Sequence, residues 1–112
     1  MSGDEQYLKI IDDFLENQMD TLPKISTHFN WLKNINHRLF TEIINMINAL
    51  SRSQIACSSQ QDAEMISAFP HKFDEYLTDS NECLMNLGED LSEFGNNNIN
   101  LGKSLTSMEN NE

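Results

Sequence analysis

Apolar residues recur through the first half of the chain in the alternating three- and four-residue steps of a helical heptad repeat. The pattern begins at Leu22 and lasts for four full repeats, and Ser53 and Cys57 continue it weakly. This spacing predicts one long helix over residues 22–58, whereas no period-two alternation lasts long enough to predict a strand. The predicted stripe consists of Leu22, Ile25, Phe29, Leu32, Asn36, Leu39, Ile43, Met46 and Leu50.

Three further apolar residues, Ile35, Phe40 and Ile47, widen this stripe at flanking heptad positions. A stripe of this width is typical of a helical-bundle core rather than of a two-stranded coiled coil. Asn36 is the polar member of the stripe, and a buried Asn at such a position fixes the register or the strand number. Asn98 is its candidate partner. The alternative is chance, since the chain contains 14 asparagines.

The same apolar phase extends backwards to Leu8, but Pro23 interrupts it. Asp20 and Thr21 precede the proline as candidate N-cap residues. We therefore expect a short acidic N-terminal helix over residues 1–21, followed by a break or kink. A single kinked helix is the alternative, because too few residues surround Pro23 to form a turn between antiparallel helices.

Residues 51–61 lose apolar side chains and gain serines, which predicts that the chain reverses there. Either Ser59 or Asp62 is the predicted N-cap of the next helix. That acidic helix is expected over residues 59–94. It should start or kink near Pro70, because proline disfavours a helical conformation in the residue before it.

The apolar stripe of this second helix takes an extra four-residue step after Ser80, a stutter that would locally unwind a supercoil. Residues 95–112 contain glycines and an asparagine run, so we expect them to form a weakly ordered tail. The stripe residues selected as an interface are Phe73, Leu84, Leu87, Leu91 and Phe94.

The length of the predicted central helix argues for assembly with another chain. Residues 22–57 would form a helix about 54 Å long, at ~1.5 Å per residue. A compact chain of 112 residues is only about 35 Å across. Two long helices also cannot cover both such wide stripes. We expect an all-α fold, an extended helical hairpin or coiled-coil bundle that another chain completes.

The charge distribution changes this picture by indicating the kind of partner. Seven basic residues oppose 18 acidic ones, for a formal net charge of −11. Residues 1–20 carry −5, residues 21–61 carry +3 and residues 62–112 carry −9. Opposite charges would line the seams of a folded-back arrangement, unless the acids only solvate exposed faces. The surplus suits a basic protein partner and argues against direct binding to nucleic acid or to an anionic membrane.

The sequence indicates an intracellular protein, either cytoplasmic or nuclear. No apolar run approaches the roughly 18 residues of a membrane span, and the acidic N-terminal stretch does not resemble a signal peptide. The two cysteines, Cys57 and Cys83, are too few for the disulfide framework of a small secreted domain. We expect reduced thiols, with a bridge between adjacent helices as the alternative.

Candidate chemistry is sparse. The five histidines and cysteines lack the short spacings that organise a zinc site, and adjacent acidic pairs diverge around a helix. No glycine-rich phosphate loop and no nucleophile with an adjacent base is recognisable. The sequence therefore predicts no enzyme activity, catalytic residue, metal or cofactor. The metal-ligand candidates considered are His28, His37, His71, Cys57 and Cys83.

The segment Asp79-Ser80-Asn81-Glu82-Cys83-Leu84-Met85-Asn86-Leu87 resembles the Asp-Ser-Leu helix of acyl carrier proteins, which are also small, acidic and helical. The resemblance implies a phosphopantetheine arm on Ser80. It covers fewer than 20 residues. Asn81 stands where that family has leucine, and Leu77 and Thr78 replace the glycine pattern that usually precedes the motif.

Together these patterns predict a non-catalytic acidic helical subunit that packs into a larger intracellular protein complex as a scaffold or adaptor. A hetero-oligomer is favoured over a homo-oligomer, because the apolar stripes need cover from another chain and the charge suits a basic one. The alternatives are a self-sufficient homo-oligomeric scaffold and an acyl-carrier-like protein modified at Ser80.

Overall fold

A computed structural model describes residues 3–54 and 59–110. Helix α1 is Gly3–Gln54 and helix α2 is Gln60–Asn110. Every described residue except Ser59 is helical, which confirms the predicted all-α fold with long helices. The connection between the helices lies within residues 51–61, as predicted, and Cys57 lies outside the described residues.

The helices contribute to two compact units. Unit 1 consists of Met1–Phe29 and Met85–Glu112, and unit 2 consists of Asn30–Leu84. Within each unit the two helical segments are antiparallel: residues later in α1 contact residues earlier in α2. In unit 1, Gln18 bonds to Asn98 and His28 to Asp90.

Helix α1 continues through Pro23, so the break expected near residue 21 is absent and the single-helix alternative matches the structure. Proline cannot donate a hydrogen bond to the carbonyl of Met19, one turn earlier. Met19 itself is an exposed residue, at 71%. The Thr21 hydroxyl donates to the carbonyl of Asn17 at 2.9 Å, in the turn that precedes the proline.

Helix α2 begins before Pro70 because a cap holds its first turn. The Ser59 Oγ accepts a hydrogen bond from the Asp62 N–H at 3.1 Å, which confirms Ser59 as the predicted N-cap. The Ser59 carbonyl also accepts from the Ala63 N–H at 3.1 Å. A start near Pro70 was therefore wrong, and the helix passes through the proline.

The predicted end of the second helix at residue 94 was wrong, since α2 is helical to Asn110. In unit 1 this segment pairs with α1, where Gln18 bonds to both Asn97 and Asn98. Contacts with the partner helix thus offset the low helix propensity of the asparagines and glycines.

The hydrophobic core of the described chain is small and lies in unit 2. Ile35, Leu39, Ala49 and Cys83 are the buried hydrophobic residues, with exposed fractions from 0 to 9%. The buried described residues of unit 1 are instead the polar Gln18, Thr21 and Asp90. Unit 1 therefore lacks a fully buried apolar side chain among its described residues.

Candidate interaction surface

Four of the nine residues in the predicted stripe of α1 lie on a line that faces the interior of the units, and three of the other five are exposed. Ile25, Leu32, Leu39 and Met46 are buried or half-buried, as an interior line requires. The same interior side of α1 also carries the buried residues Thr21, Ile35 and Ala49. The other five residues of the predicted stripe flank this interior line and form an outer line. In that outer line Leu22, Phe29 and Leu50 are 43 to 51% exposed, whereas Asn36 and Ile43 are half-buried.

The outer line of α1 also extends towards the N-terminus within unit 1. Leu8 and Leu15 precede Leu22 at seven-residue intervals and are 68% and 50% exposed. Phe40 and Ile47, the residues expected to widen the core, are exposed in unit 2, whereas Ile35 is part of the core. The sequence therefore identified the apolar positions, but the structure places several of them on the surface.

On helix α2, too, the interior side of the helix is turned away from the predicted stripe. Phe73, Leu87 and Phe94 are half-buried, but Leu84 and Leu91 are 48% and 53% exposed. Cys83 and Asp90, one residue earlier in each case, are buried instead at 0% and 7% exposure. The interior of α2 consequently keeps its three–four alternation past Ser80, and the predicted stutter is absent.

A polar network explains why the interior of unit 1 is rotated in this way. The Gln18 Nε2 donates to Asn98 Oδ1 at 2.9 Å and to the Phe94 carbonyl at 3.5 Å. The Asn97 Nδ2 donates to Gln18 Oε1 at 3.1 Å. Buried amides require such partners, so the network fixes which sides of the helices face each other. Within the chain Asn98 thus pairs with Gln18, not with Asn36.

A contact between His28 and the buried Asp90 adds a second constraint in unit 1. The Asp90 carboxylate is bound to Nδ1 of His28, whose side chain is 24% exposed. A buried carboxylate without a partner is strongly unfavourable, so Asp90 must face α1, and Leu91 then points outward. Lys24 and Glu93 form a more exposed pair at 3.6 Å, which contributes little to stability.

In unit 2 the helices are joined next to their connection by a bidentate ion pair. Arg52 Nε and Nη2 donate to the two Asp62 carboxylate oxygens, each at 2.7 Å. These hydrogen bonds lower the pKa of Asp62, although burial partly opposes the shift, and they raise the pKa of Arg52. Sequence reasoning found Asp62 only as a capping residue and missed this pair.

The outer lines of the two helices lie on the same side of unit 1. On each helix, the outer line is reached from the interior line by turning about the helix axis in the direction in which residue numbers increase. Antiparallel helices rotate in opposite senses when viewed from one end, so these two flanks meet on one side. Leu15 and Leu22 of α1 therefore share a side of unit 1 with Leu91 of α2. The groove on the opposite side is lined by Asn17, Asn97, Asn100 and Ser104 together with Ile10, Phe14 and Leu101.

The α1 part of that side carries both apolar and acidic residues, and we call it the acidic leucine face. Its apolar members are 44 to 71% exposed. A shallow depression there is lined by Leu15 and Met19 together with three carboxylates. None of the three carboxylates forms an ion pair or hydrogen bond with another described residue. The face consists of Leu8, Ile11, Leu15, Met19 and Leu22, with Asp12, Glu16 and Asp20 along its edge.

The other candidate residues do not converge on a chemical site. Within residues 3–54 and 59–110, no group of three or more His, Cys, Asp or Glu side chains is placed to hold a metal. Cys83 is a reduced, buried thiol whose pKa is raised chiefly by burial, with a hydrogen bond from the Leu32 backbone opposing the shift. Ser80 is half-buried in the middle of α2. His71 forms an exposed pair with Glu75 on its own helix at 3.1 Å.

Comparison of the chain with protein-family models, with curated proteins and with solved structures gives no match. Among the described residues, neither helix includes a stretch long and apolar enough to cross a membrane.

Proposed function

We propose that this protein is a non-catalytic subunit that assembles by helix–helix packing into a larger intracellular protein complex, as a scaffold or adaptor. One observation carries the proposal: the buried described residues of unit 1 are polar, while leucines stay exposed at seven-residue intervals. In unit 1, Leu8, Leu15 and Leu22 form this exposed series on α1. Apolar surface of this regularity favours a further helix as its cover.

The marginal interior of unit 1 supports the same proposal. Its buried described residues are Gln18, Thr21 and Asp90, whose hydrogen bonds contribute about 1 kcal/mol each to stability. Burying a leucine that is now half exposed would add about 1 kcal/mol, at ~25 cal/mol per Å². A docked helix that covers several such leucines would therefore raise the stability of this unit substantially.

The test is the size of the native assembly in cells that express the tagged chain. Velocity sedimentation of a native extract should place the wild-type chain well above its own mass of 12.9 kDa. A Leu15→Asn/Leu22→Asn variant should shift towards the free chain. The matched control, Asn17→Ala/Asn100→Ala, alters the opposite groove and should sediment like the wild type.

Circular dichroism of the purified variants checks that each keeps its helical content. The proposal fails if the wild-type chain sediments at its own mass, or if the leucine variant and the control sediment alike. A wild-type assembly that contains only copies of this chain would instead favour the homo-oligomeric alternative.

A further inference from the structure

We propose that the acidic leucine face of unit 1 binds a basic amphipathic helix of a partner protein. This inference rests on the proposed function, and it specifies the surface and the chemical class of the partner. Three features of unit 1 carry it: the apolar strip, the unpaired carboxylates beside it and the open glycine positions on α2.

The apolar strip has the dimensions of a helix-binding site. At 100° per residue, its five apolar side chains lie within an arc of about 80° on α1. From Leu8 to Leu22 the strip is about 21 Å long, at ~1.5 Å per residue. That length corresponds to four turns, so it accommodates a partner helix of about 14–18 residues that presents apolar side chains at heptad spacing.

The carboxylates along one edge of the strip specify the charge of this helix. Asp12, Glu16 and Asp20 follow one another at four-residue intervals, where like charges repel on a helix surface. The nearby Lys9 is bound to Asp13 at 3.1 Å and does not neutralise the row. Lys or Arg side chains at four-residue intervals on a partner helix would relieve this repulsion and form charge-assisted hydrogen bonds.

The α2 side of the same face leaves room for the partner to approach. Gly95 and Gly102 lie on the flank of α2 that carries Leu91. A Cβ atom built at either glycine meets nothing within 4 Å apart from neighbouring backbone of its own helix, so space for a side chain is open beside both positions. A third helix can therefore lie against both α1 and the backbone of α2.

Charge also decides against a second copy of the chain as the occupant. The sequence of unit 1 contains 11 acidic and three basic residues, for a formal charge of −8. Two copies joined through this face would bring two units with a formal charge of −8 each into contact, and the like charges would repel. A basic helix is complementary, and its association should be accelerated at low salt.

The test uses the full chain and two synthetic 18-residue peptides with identical leucine positions. One peptide carries Lys at the flanking positions and the other carries Glu. Fluorescence anisotropy of labelled peptide is measured at 50 mM and 300 mM salt. We expect the basic peptide to bind at least tenfold more tightly at the lower salt concentration, and the acidic peptide not to bind.

Two triple variants separate a specific site from the general negative charge of the chain. Asp12→Asn/Glu16→Gln/Asp20→Asn should weaken binding of the basic peptide about tenfold, from three exposed ion pairs of ~0.5 kcal/mol each. The control Asp74→Asn/Asp79→Asn/Glu82→Gln removes the same charge from unit 2 and should change the affinity less than twofold. Leu15→Asn/Leu22→Asn should abolish binding.

Equal losses in the two triple variants would overturn the inference but leave the proposed function intact, provided the leucine variant still disrupts the native assembly. A dimer of the isolated chain that Leu15→Asn/Leu22→Asn dissociates would show a second copy as the occupant and also overturn it. If neither peptide binds and the leucine variant sediments like the wild type, both the inference and the proposed function fail.

Discussion

Two isoleucines of α1 provide a direct test of which side of the helix is the interior of unit 2. Ile35 is 5% exposed and Ile44 is 58% exposed, although both lie in the same helix and the same unit. Replacing each in turn by alanine removes the same atoms. The substitution also improves helix propensity by a few tenths of a kcal/mol at both positions, so this contribution cancels in the comparison.

The expected magnitudes differ because the environments differ. Truncation of a buried isoleucine costs about 2–5 kcal/mol, and Ile35→Ala should fall at about 2–3 kcal/mol, since a two-helix unit can partly collapse around the lost volume. Less than half of Ile44 is covered. Its truncation should cost about 0.5–1 kcal/mol in transfer free energy, which the gain in helix propensity largely offsets.

The assay is urea unfolding at 25 °C followed by circular dichroism at 222 nm. Ile35→Ala should lower the unfolding midpoint strongly, with little change in the slope of unfolding free energy against urea, whereas Ile44→Ala should remain close to the wild type. Equal destabilisation by the two variants, or a larger effect at Ile44, would show that the interior has been assigned to the wrong side of α1.

Three other predictions follow from individual contacts. Arg52 lowers the pKa of Asp62 in the folded chain. The ionised carboxylate therefore stabilises the fold fully above the pKa of Asp62 in the unfolded chain, about 3.9. This contribution is lost as the pH falls through the lower pKa of the folded state. Acid titration followed by circular dichroism should show that the wild type is more stable than Asp62→Asn at neutral pH and that this difference in stability shrinks as the pH falls. A difference in stability that stays constant with pH would contradict this. Gln18→Ala should lower the free energy of unfolding by about 1–2 kcal/mol because three hydrogen bonds are lost, and an unchanged urea midpoint would show that the network contributes nothing. In a Cys57→Ser background, Cys83 should react with a thiol reagent at pH 8 at least tenfold more slowly in the folded chain than in urea, because it is buried with a raised pKa; equal rates would refute its burial.

The helices were predictable because their signals are local. The three–four spacing on α1 and the cap at Ser59 depend on residues within one or two turns of each other. The continuation of α1 through Pro23 was less certain, since a proline lowers helix stability without specifying whether neighbouring contacts compensate. The order of residues 95–110 also depends on α1, through the bonds from Gln18 to Asn97 and Asn98.

The sequence selected Leu22 as an interface residue but did not select the rest of the acidic leucine face. Leu22 and Leu91 were selected as seam residues because hydrophobicity alone favours leucine over Thr21 or Asp90 as an interior side chain. Their use as an interface stays a prediction. Asp12, Glu16 and Asp20 were visible in the sequence only as part of a net charge, because no local pattern shows that an apolar strip lies beside them.

The sequence by itself determined an all-α fold with long helices, the point where the chain reverses, a strongly acidic composition and apolar stripes wider than two helices can cover. Each of these follows from composition or from spacings shorter than a few helical turns. Only the tertiary structure decided which flank of each stripe turns inward. That choice depends on Gln18 meeting Asn98 and His28 meeting Asp90, pairs that are 80 and 62 residues apart. Burying those polar groups together satisfies their hydrogen bonds, and the leucines on the adjacent flank are left exposed.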